Sequence, residues 1–206
     1  MIINKKDSEQ VAEILLNINA VKLQPSNFFT WSSGKKSPIY CDNRLLLSHV
    51  QERAVIKNLF CKYIRKEFTS IDYIAGVATG AIPHGMMVAE ELKLPFIYIR
   101  SSAKGHGRQN QIEGKLKSNS NVLVIEDLIS TGKSSLKALD AINEHGAHTI
   151  GLISIFTYDL FNPKNMEIAC FSLCNYGTLI QFAIKENIIT SQEKEILQDW
   201  HSNYSY

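Results

Sequence analysis

"NVLVIEDLISTGKSS", residues Asn121 to Ser135, decides how this chain folds. Four apolar residues, Val122 to Ile125, run directly into two adjacent acids, Glu126 and Asp127. After Leu128 and Ile129 comes a cluster of small, hydroxyl-bearing and cationic residues, Ser130-Thr131-Gly132-Lys133-Ser134. A short apolar run bounded by polar residues predicts a buried strand, with the acids at its carboxyl end and a helix from Ser134 to His145 behind the loop. Gly132-Lys133-Ser134 has the form of the tail of a nucleoside-triphosphate loop, but such a loop requires a glycine where this chain has Asp127. A carboxylate there would face the triphosphate instead of offering it backbone amides, so the triphosphate reading fails. The order of groups fits a different ligand. Adjacent carboxylates accept hydrogen bonds from vicinal hydroxyls, as on a ribose, and can hold Mg²⁺ directly or through water. A loop of small residues at a helix N-terminus suits one phosphate. Acids for a sugar and amides for a phosphate describe a cradle for ribose 5-phosphate.

Outward from this stretch, apolar strands alternate with helices. Residues 7–18 predict a helix, with Asp7 as its cap and Val11, Ile14, Leu15 and Ile18 at helical spacing. "FFTWSSGKKSPIYCDNR" (Phe28 to Arg44) is strand-like at both ends around a Ser-Gly turn. A second helix spans Val50 to Phe68. "IDYIAGV" (Ile71 to Val77) is a buried strand that opens into "ATGAIPHG" and a helix around Met86 to Leu92. Strands at Pro95 to Arg100 and over "TIGLISIFTY" (Thr149 to Tyr158) follow the same logic, and two helical stretches close the chain. The last of them opens with Thr190 and Glu193 placed as a capping box. This alternation predicts a mostly parallel α/β sheet, in which ligands sit at the carboxyl ends of strands. Three loops fall there: Ala78 to Gly85, Ser101 to Gly114 and Glu126 to Ser134.

Composition bounds the rest. The chain of 206 residues suits one domain, and its net charge of +2 gives no reason to expect a nucleic-acid or membrane partner. The polar start "MIINKKDSEQ" is unlike a signal peptide, and no apolar run approaches the length that spans a bilayer. Together these predict a cytoplasmic protein. Cys41, Cys61, Cys170 and Cys174 form no Cys-x-x-Cys pair and are expected to be buried structural thiols. The six histidines show no metal-ligand spacing.

The stretch Asn121 to Ser135 resembles the phosphoribosyl-diphosphate (PRPP) signature of the type I phosphoribosyltransferases. "FTWSSGKKSPIYCDNR", "GVATGAIPHG" and "RSSAKGHGRQNQIEG" extend the likeness, in matching order, toward the orotate phosphoribosyltransferases of that family. The resemblance implies the family's α/β fold: a mostly parallel sheet flanked by helices, with a small N-terminal hood over residues 1–48, the whole of 1–206 forming a single domain. It implies transfer of ribose 5-phosphate from PRPP to orotate, giving orotidine 5-monophosphate and pyrophosphate in pyrimidine (UMP) biosynthesis. Mg²⁺ is the implied cofactor, held mainly by PRPP, with Asp127 as a protein ligand. By the same resemblance, PRPP is bound by Thr79 and Gly80, by Arg100, Lys104 and His106, and by the signature residues Glu126, Asp127, Leu128, Ile129, Ser130, Thr131, Gly132, Lys133 and Ser134. Lys104, His106 and Asp127 take the catalytic roles, and Ser130 and Tyr40 contact orotate. Gly105 and Gly107 would let the loop around Lys104 hinge, and in the family this loop reaches into the partner's site, implying a homodimer with shared active sites.

The chain also departs from the family. Some members carry lysine at the position of Ser32, or two successive basic residues where this chain has Arg100-Ser101. Lys133 stands where glycine is usual and is expected to point to solvent. No arginine follows Arg108, so the carboxylate of orotate is left to Arg44, Lys35, Lys36 or backbone amides. A purine phosphoribosyltransferase and a PRPP-sensing regulator remain as alternatives on the same fold.

Overall fold

Apolar strands that alternate with helices must be covered on both faces, and the chain solves this with one central sheet. The structure, a computed structural model, describes residues 3–31, 34–101, 111–162 and 168–204. The sheet is built from β5 (Tyr73–Val77), β6 (Phe96–Ile99), β7 (Ile112–Glu113), β8 (Asn121–Ile129), β9 (His148–Thr157) and β10 (Ala169–Asn175), in the order β10-β9-β8-β5-β6-β7. All neighbours are parallel except the edge pair β6 and β7. Before the sheet come α1 (Lys5–Asn17), the short strands β1 (Val21–Leu23), β2 (Phe29–Thr30), β3 (Lys36–Ser37) and β4 (Ile39–Cys41), a 3₁₀ segment (Asn43–Ser48) and α2 (Val50–Glu67). The crossovers are α3 (Ala81–Leu92) and α4 (Lys133–Glu144); α5 (Tyr176–Lys185) and α6 (Ser191–Ser202) end the described chain.

Alternation along β8 divides the core. Leu123 and Ile125 pack with α1, α2, α3 and α5, while Val122 and Val124 pack with α4. All four are fully buried, and each such side chain is worth about 1.5–3 kcal/mol of apolar transfer. Burial on both faces is why this strand shows an unbroken apolar run.

Four expectations are corrected. Asn4, not Asp7, caps α1: the Asn4 Oδ1 accepts from the Asp7 amide at 3.0 Å. The Asp7 carboxylate is instead engaged by Lys62 and Tyr63, each at 2.5 Å. Helix α3 starts at Ala81 and runs through Pro83, which sits in the first turn where no amide donor is needed. Strand β8 holds Glu126 and Asp127 within it and runs on two residues past them, to Ile129, because β9 keeps pairing with it as far as Ile129–Thr157. Strand β10 is missing from the sequence reading. Its run "ACFSLCN" carries a polar Ser172, which is buried and satisfied across the sheet by the Ser154 hydroxyl at 2.7 Å.

Candidate active site at the carboxyl edge of the sheet

The site starts from an unequal pairing. β8 pairs with β9 along its whole length, but its ladder with β5 ends at Gly76–Ile125. From Glu126 onward one edge of β8 therefore faces an opening between strands, the place where open α/β sheets bind ligands. Glu126 is 3% exposed; its Oε1 accepts from the Ser134 hydroxyl at 3.2 Å, and its Oε2 is buried with no hydrogen-bond partner among the described residues. Burial, reinforced by neighbouring Asp127, pushes the Glu126 carboxyl well above the usual carboxylate range. Burial raises Asp127 as well, against the opposing pull of its own and Leu128's backbone amides and of the Arg44 charge. A buried acid with an unused oxygen, beside a second acid, is costly unless a donor or cation arrives from outside.

Two glycines make room for these acids and their loop. A Cβ on Gly80 would lie 2.0 Å from the Asp127 Oδ2, so only glycine lets the β5–α3 turn approach that carboxylate. Gly132 sits at φ 77°, and a Cβ there would lie 2.6 Å from the ring of Phe161. Gly80 and Gly132 also precede α3 and α4, and neither helix has a side-chain cap. By contrast, α1, α5 and α6 are capped by Asn4, Asn175 and Thr190; α2 also begins without a cap. Two helix N-termini without side-chain caps thus flank the acid pair, a setting that favours anions.

A cavity of about 850 Å³ adjoins this edge. Leu128, Ser130, Thr131 and Lys133 form its sheet side; Tyr40, Lys35 and Arg44 come from the N-terminal segment, and Tyr204 from the end of the chain. The N-terminal wall is anchored from behind. Trp31 donates its indole N–H to the Ile39 carbonyl at 3.1 Å, and Trp200 of α6 donates to the Lys36 carbonyl at 3.0 Å. Trp31 also packs on Tyr158, Trp200 and Tyr204, with ring centroids 5.3–6.0 Å apart. The seam between this wall and β8 is polar. Asn43 donates its side-chain amide to the Asp127 carbonyl at 2.6 Å, and its main chain hydrogen-bonds buried His84 of α3. Burial lowers the His84 pKa to about 4 and leaves its Nε2 without a partner among the described residues, so the ring is neutral near pH 7.

The structure gathers most of the expected residues. Glu126, Asp127, Thr79, Gly80 and the loop Ser130–Ser134 meet at one edge. Ile129 is 3% exposed in the core, so its main chain alone can face a ligand. Tyr40 is 39% exposed, lines the cavity and lies 5.7 Å from the Phe29 ring. Arg100 lies beyond β6, with its Nη1 3.6 Å from Glu113. Lys133 is exposed, as expected, and its side chain also borders the cavity.

Lys104 and His106 lie outside the described residues, as do Ser32, Gly105, Gly107 and Arg108. Of the three cations weighed for a substrate carboxylate, Lys36 is turned away and donates to the Thr30 hydroxyl at 2.8 Å. Arg44 borders the cavity but is held by Asp42 at 2.6 and 2.8 Å, while the Lys35 ammonium lies 4.4 Å from the centre of the Tyr204 ring. Sequence reasoning missed the C-terminal contribution entirely: no local pattern marks Tyr204 or Trp200 as neighbours of residues 31–44. The expectation for the thiols is corrected in part. All four are free, yet Cys41 and Cys170 are only half-buried, and Cys41 lines the cavity.

A crevice of this make, with an acid pair running into an uncapped helix on a parallel sheet, is that of the phosphoribosyl transferase domain, whose family model matches residues 45–171. An orotate phosphoribosyltransferase from Listeria monocytogenes serovar 1/2a is 48% identical over 95% of both chains. The crystal structure of orotate phosphoribosyltransferase from Aeropyrum pernix covers 87% of this chain and 99% of its own, at a TM-score of 0.76 and 26% identity. The UMP synthase of Leishmania donovani aligns with a TM-score of 0.81 and 25% identity over 97% of this chain, which spans 43% of that longer protein. The chain belongs to the phosphoribosyltransferase family and, within it, to the orotate phosphoribosyltransferases.

Proposed function

We propose that this chain transfers ribose 5-phosphate from PRPP to orotate in pyrimidine (UMP) biosynthesis. The bond from the anomeric carbon to the diphosphate oxygen breaks, a bond to a ring nitrogen of orotate forms, and orotidine 5-monophosphate and pyrophosphate leave. The observation that carries this reading is the acid pair of β8, buried Glu126 and half-buried Asp127, leading into the uncapped N-terminus of α4. Glu126 and Asp127 accept hydrogen bonds from the ribose hydroxyls. The amides of Thr131 to Ser134 hold the 5-phosphate. Thr79, Gly80 and Arg100 face the diphosphate, and by resemblance Lys104 and His106 join them. Positive charge grows at the anomeric carbon while negative charge grows on the departing diphosphate, so the chain's work is positioning and charge stabilisation, not nucleophilic attack. Tyr40 flanks the base, Ser130 hydrogen-bonds it, and Lys35 or Arg44 meets its carboxylate.

The residues fit a shared Mg²⁺ better than a resident one. Asp127 opens to the crevice beside an unpartnered Glu126 oxygen, yet the described residues contain no group of three His, Cys, Asp or Glu side chains suited to a metal. Most ligands would then come from PRPP, with Asp127 the protein's own. When bound, the ion would neutralise charge on the diphosphate.

Residues 1–206 act as one domain, with 1–48 as a hood, and the reaction belongs to the cytoplasm. No helix among the described residues is long and apolar enough to cross a membrane. The direct test is loss of orotate's ultraviolet absorbance on adding PRPP and Mg²⁺, with adenine, hypoxanthine and uracil as controls. Comparable turnover of a purine would overturn the assignment. The homodimer with shared sites has its own test. Lys104→Ala and Asp127→Ala, each inactive alone, are unfolded together, refolded and assayed. With a loop acting across a two-fold interface, mixed dimers hold one intact site, and about a quarter of wild-type activity returns. No recovery, with mixed dimers confirmed by differential tags, would return Lys104 to its own subunit.

A further inference from the structure

Past the end of its ladder with β5, one edge of β8 has no strand beside it among the described residues. The Asp127 carbonyl is taken there by a side chain instead, the Asn43 Nδ2, at 2.6 Å. Asn43 comes from the 3₁₀ segment, 84 residues away in the chain, and is 1% exposed, so water cannot stand in for its amide. The carbonyl it holds belongs to the peptide unit that joins Asp127 to Leu128. The N–H of that same unit, on Leu128, donates to the Asp127 carboxylate, as does the amide of Asp127 itself. A peptide unit is planar, so gripping its oxygen fixes the direction of its N–H. Donation to the oxygen also polarises the unit and strengthens that N–H as a donor. Asn43 thus acts on the carboxylate through one rigid plane. It is itself held on its other sides: its Oδ1 accepts from the Cys41 thiol at 3.4 Å, and its main chain hydrogen-bonds the ring of buried His84. Gly80 leaves room for the carboxylate, but room gives no direction.

We infer that Asn43 is a positioning residue for the transfer reaction: by holding the peptide unit between Asp127 and Leu128, it points the Asp127 carboxylate at the ribose hydroxyls of the sugar donor. This role rests on the reading of Asp127 as a ribose contact. An Asn43 that only satisfied a buried carbonyl would contribute stability and leave affinity for the donor alone. An Asn43 that aims the carboxylate contributes affinity as well, and only while the carboxylate carries its charge.

The test is a double-mutant cycle on PRPP affinity, read by calorimetry with Mg²⁺ present, in wild type, Asn43→Ala, Asp127→Asn and the two combined. Asn43→Ala alone should weaken PRPP binding about tenfold, whereas in the Asp127→Asn background it should change it by no more than about twofold. Tyr63→Phe is the control for stability alone. It removes a hydrogen bond from a buried hydroxyl to Asp7, between α2 and α1 and away from the crevice, and should leave PRPP affinity unchanged. Equal losses in both backgrounds, or a loss in Asn43→Ala no larger than in Tyr63→Phe, would overturn the role. Amide exchange reads the same linkage without any ligand. Protection of the Leu128 amide should fall at least about tenfold in Asn43→Ala relative to Val124, a core amide of the same strand. Unchanged relative protection would also overturn the role. If wild type does not bind PRPP, the substrate reading fails, and the exchange result still decides what Asn43 does. If Asn43→Ala does not fold, wild type suffices. Its Asn43 side-chain amide signals should shift as PRPP saturates the protein, and signals that stay fixed while that of Leu128 moves would refute the linkage.

Discussion

The half of the site proposed for the sugar phosphate and the half proposed for the base are built in opposite ways. The first is local: Glu126, Asp127 and the loop to Ser134 come from one strand-to-helix turn, and Thr79 and Gly80 join from the turn of the neighbouring strand. The second is assembled from afar. Tyr40, Lys35 and Arg44 arrive from the first 44 residues, Tyr204 from the end, and the wall is tied by the Trp200 indole to the Lys36 carbonyl, 164 residues apart in the chain. The local half is held by sheet pairing and core burial, which tolerate little displacement. The distant half hangs on aromatic packing and single hydrogen bonds. Changes in the first should abolish reaction, whereas changes in the second should tune it.

Gly80→Ala attacks the local half hardest. The new methyl collides with the Asp127 carboxylate, so one of the two must move. We expect kcat/KM to fall at least about a hundredfold, with about 1–3 kcal/mol of stability lost. Wild-type rates in steady-state assays would break the claim that this glycine sets the position of Asp127.

His84 lies at the seam and carries the pH dependence. Its pKa of about 4 in the folded protein lies below the ordinary 6.5 of an unfolded chain. The unfolded state therefore takes up a proton first as pH falls, and stability declines from about pH 6.5 down to about 4, by about 3 kcal/mol in all. Urea midpoints across that range should show the slope in wild type and a flatter one in His84→Leu. Equal slopes would show that the ring is not held neutral behind Asn43.

Asp127→Asn keeps the shape and removes the charge. PRPP should bind more weakly by about 1–3 kcal/mol, read by calorimetry with Mg²⁺ present. Unchanged affinity would remove Asp127 from the ribose contacts. The smallest effect belongs to the distant half. Trp200→Phe keeps most of the aromatic packing and loses the hydrogen bond to Lys36, worth about 1 kcal/mol. We expect KM for orotate to rise a few-fold while PRPP affinity stays put; a fall in PRPP affinity of similar size would erase the division between the halves.

Legibility followed the same division. Val122 to Ile125 announce a strand buried on both faces, and the acids and glycine loop that follow are local enough to read as a phosphate and ribose site. The capping box at Thr190 and Glu193 is equally local, and both its hydrogen bonds form. Strand β10 is not legible locally because Ser172 breaks its apolar run, and what makes a serine acceptable there is Ser154 on the next strand. Asn4 and Asp7 both suit a helix start, and Lys62 and Tyr63 of α2 decide between them by engaging the Asp7 carboxylate.

The sequence by itself determined the α/β alternation, the family, and the acid pair with its small-residue loop at the carboxyl end of a strand, because strand burial, helix starts and glycine turns depend on neighbours within a few positions. Tertiary structure alone decided that β8 runs on past its acids, that Gly80 must be glycine because of Asp127, that Lys36 faces away while Lys35 and Arg44 border the cavity, and that Tyr204 joins them there. Each of these depends on a partner brought near only by folding, and nothing in the spacing of residues along the chain encodes that distance.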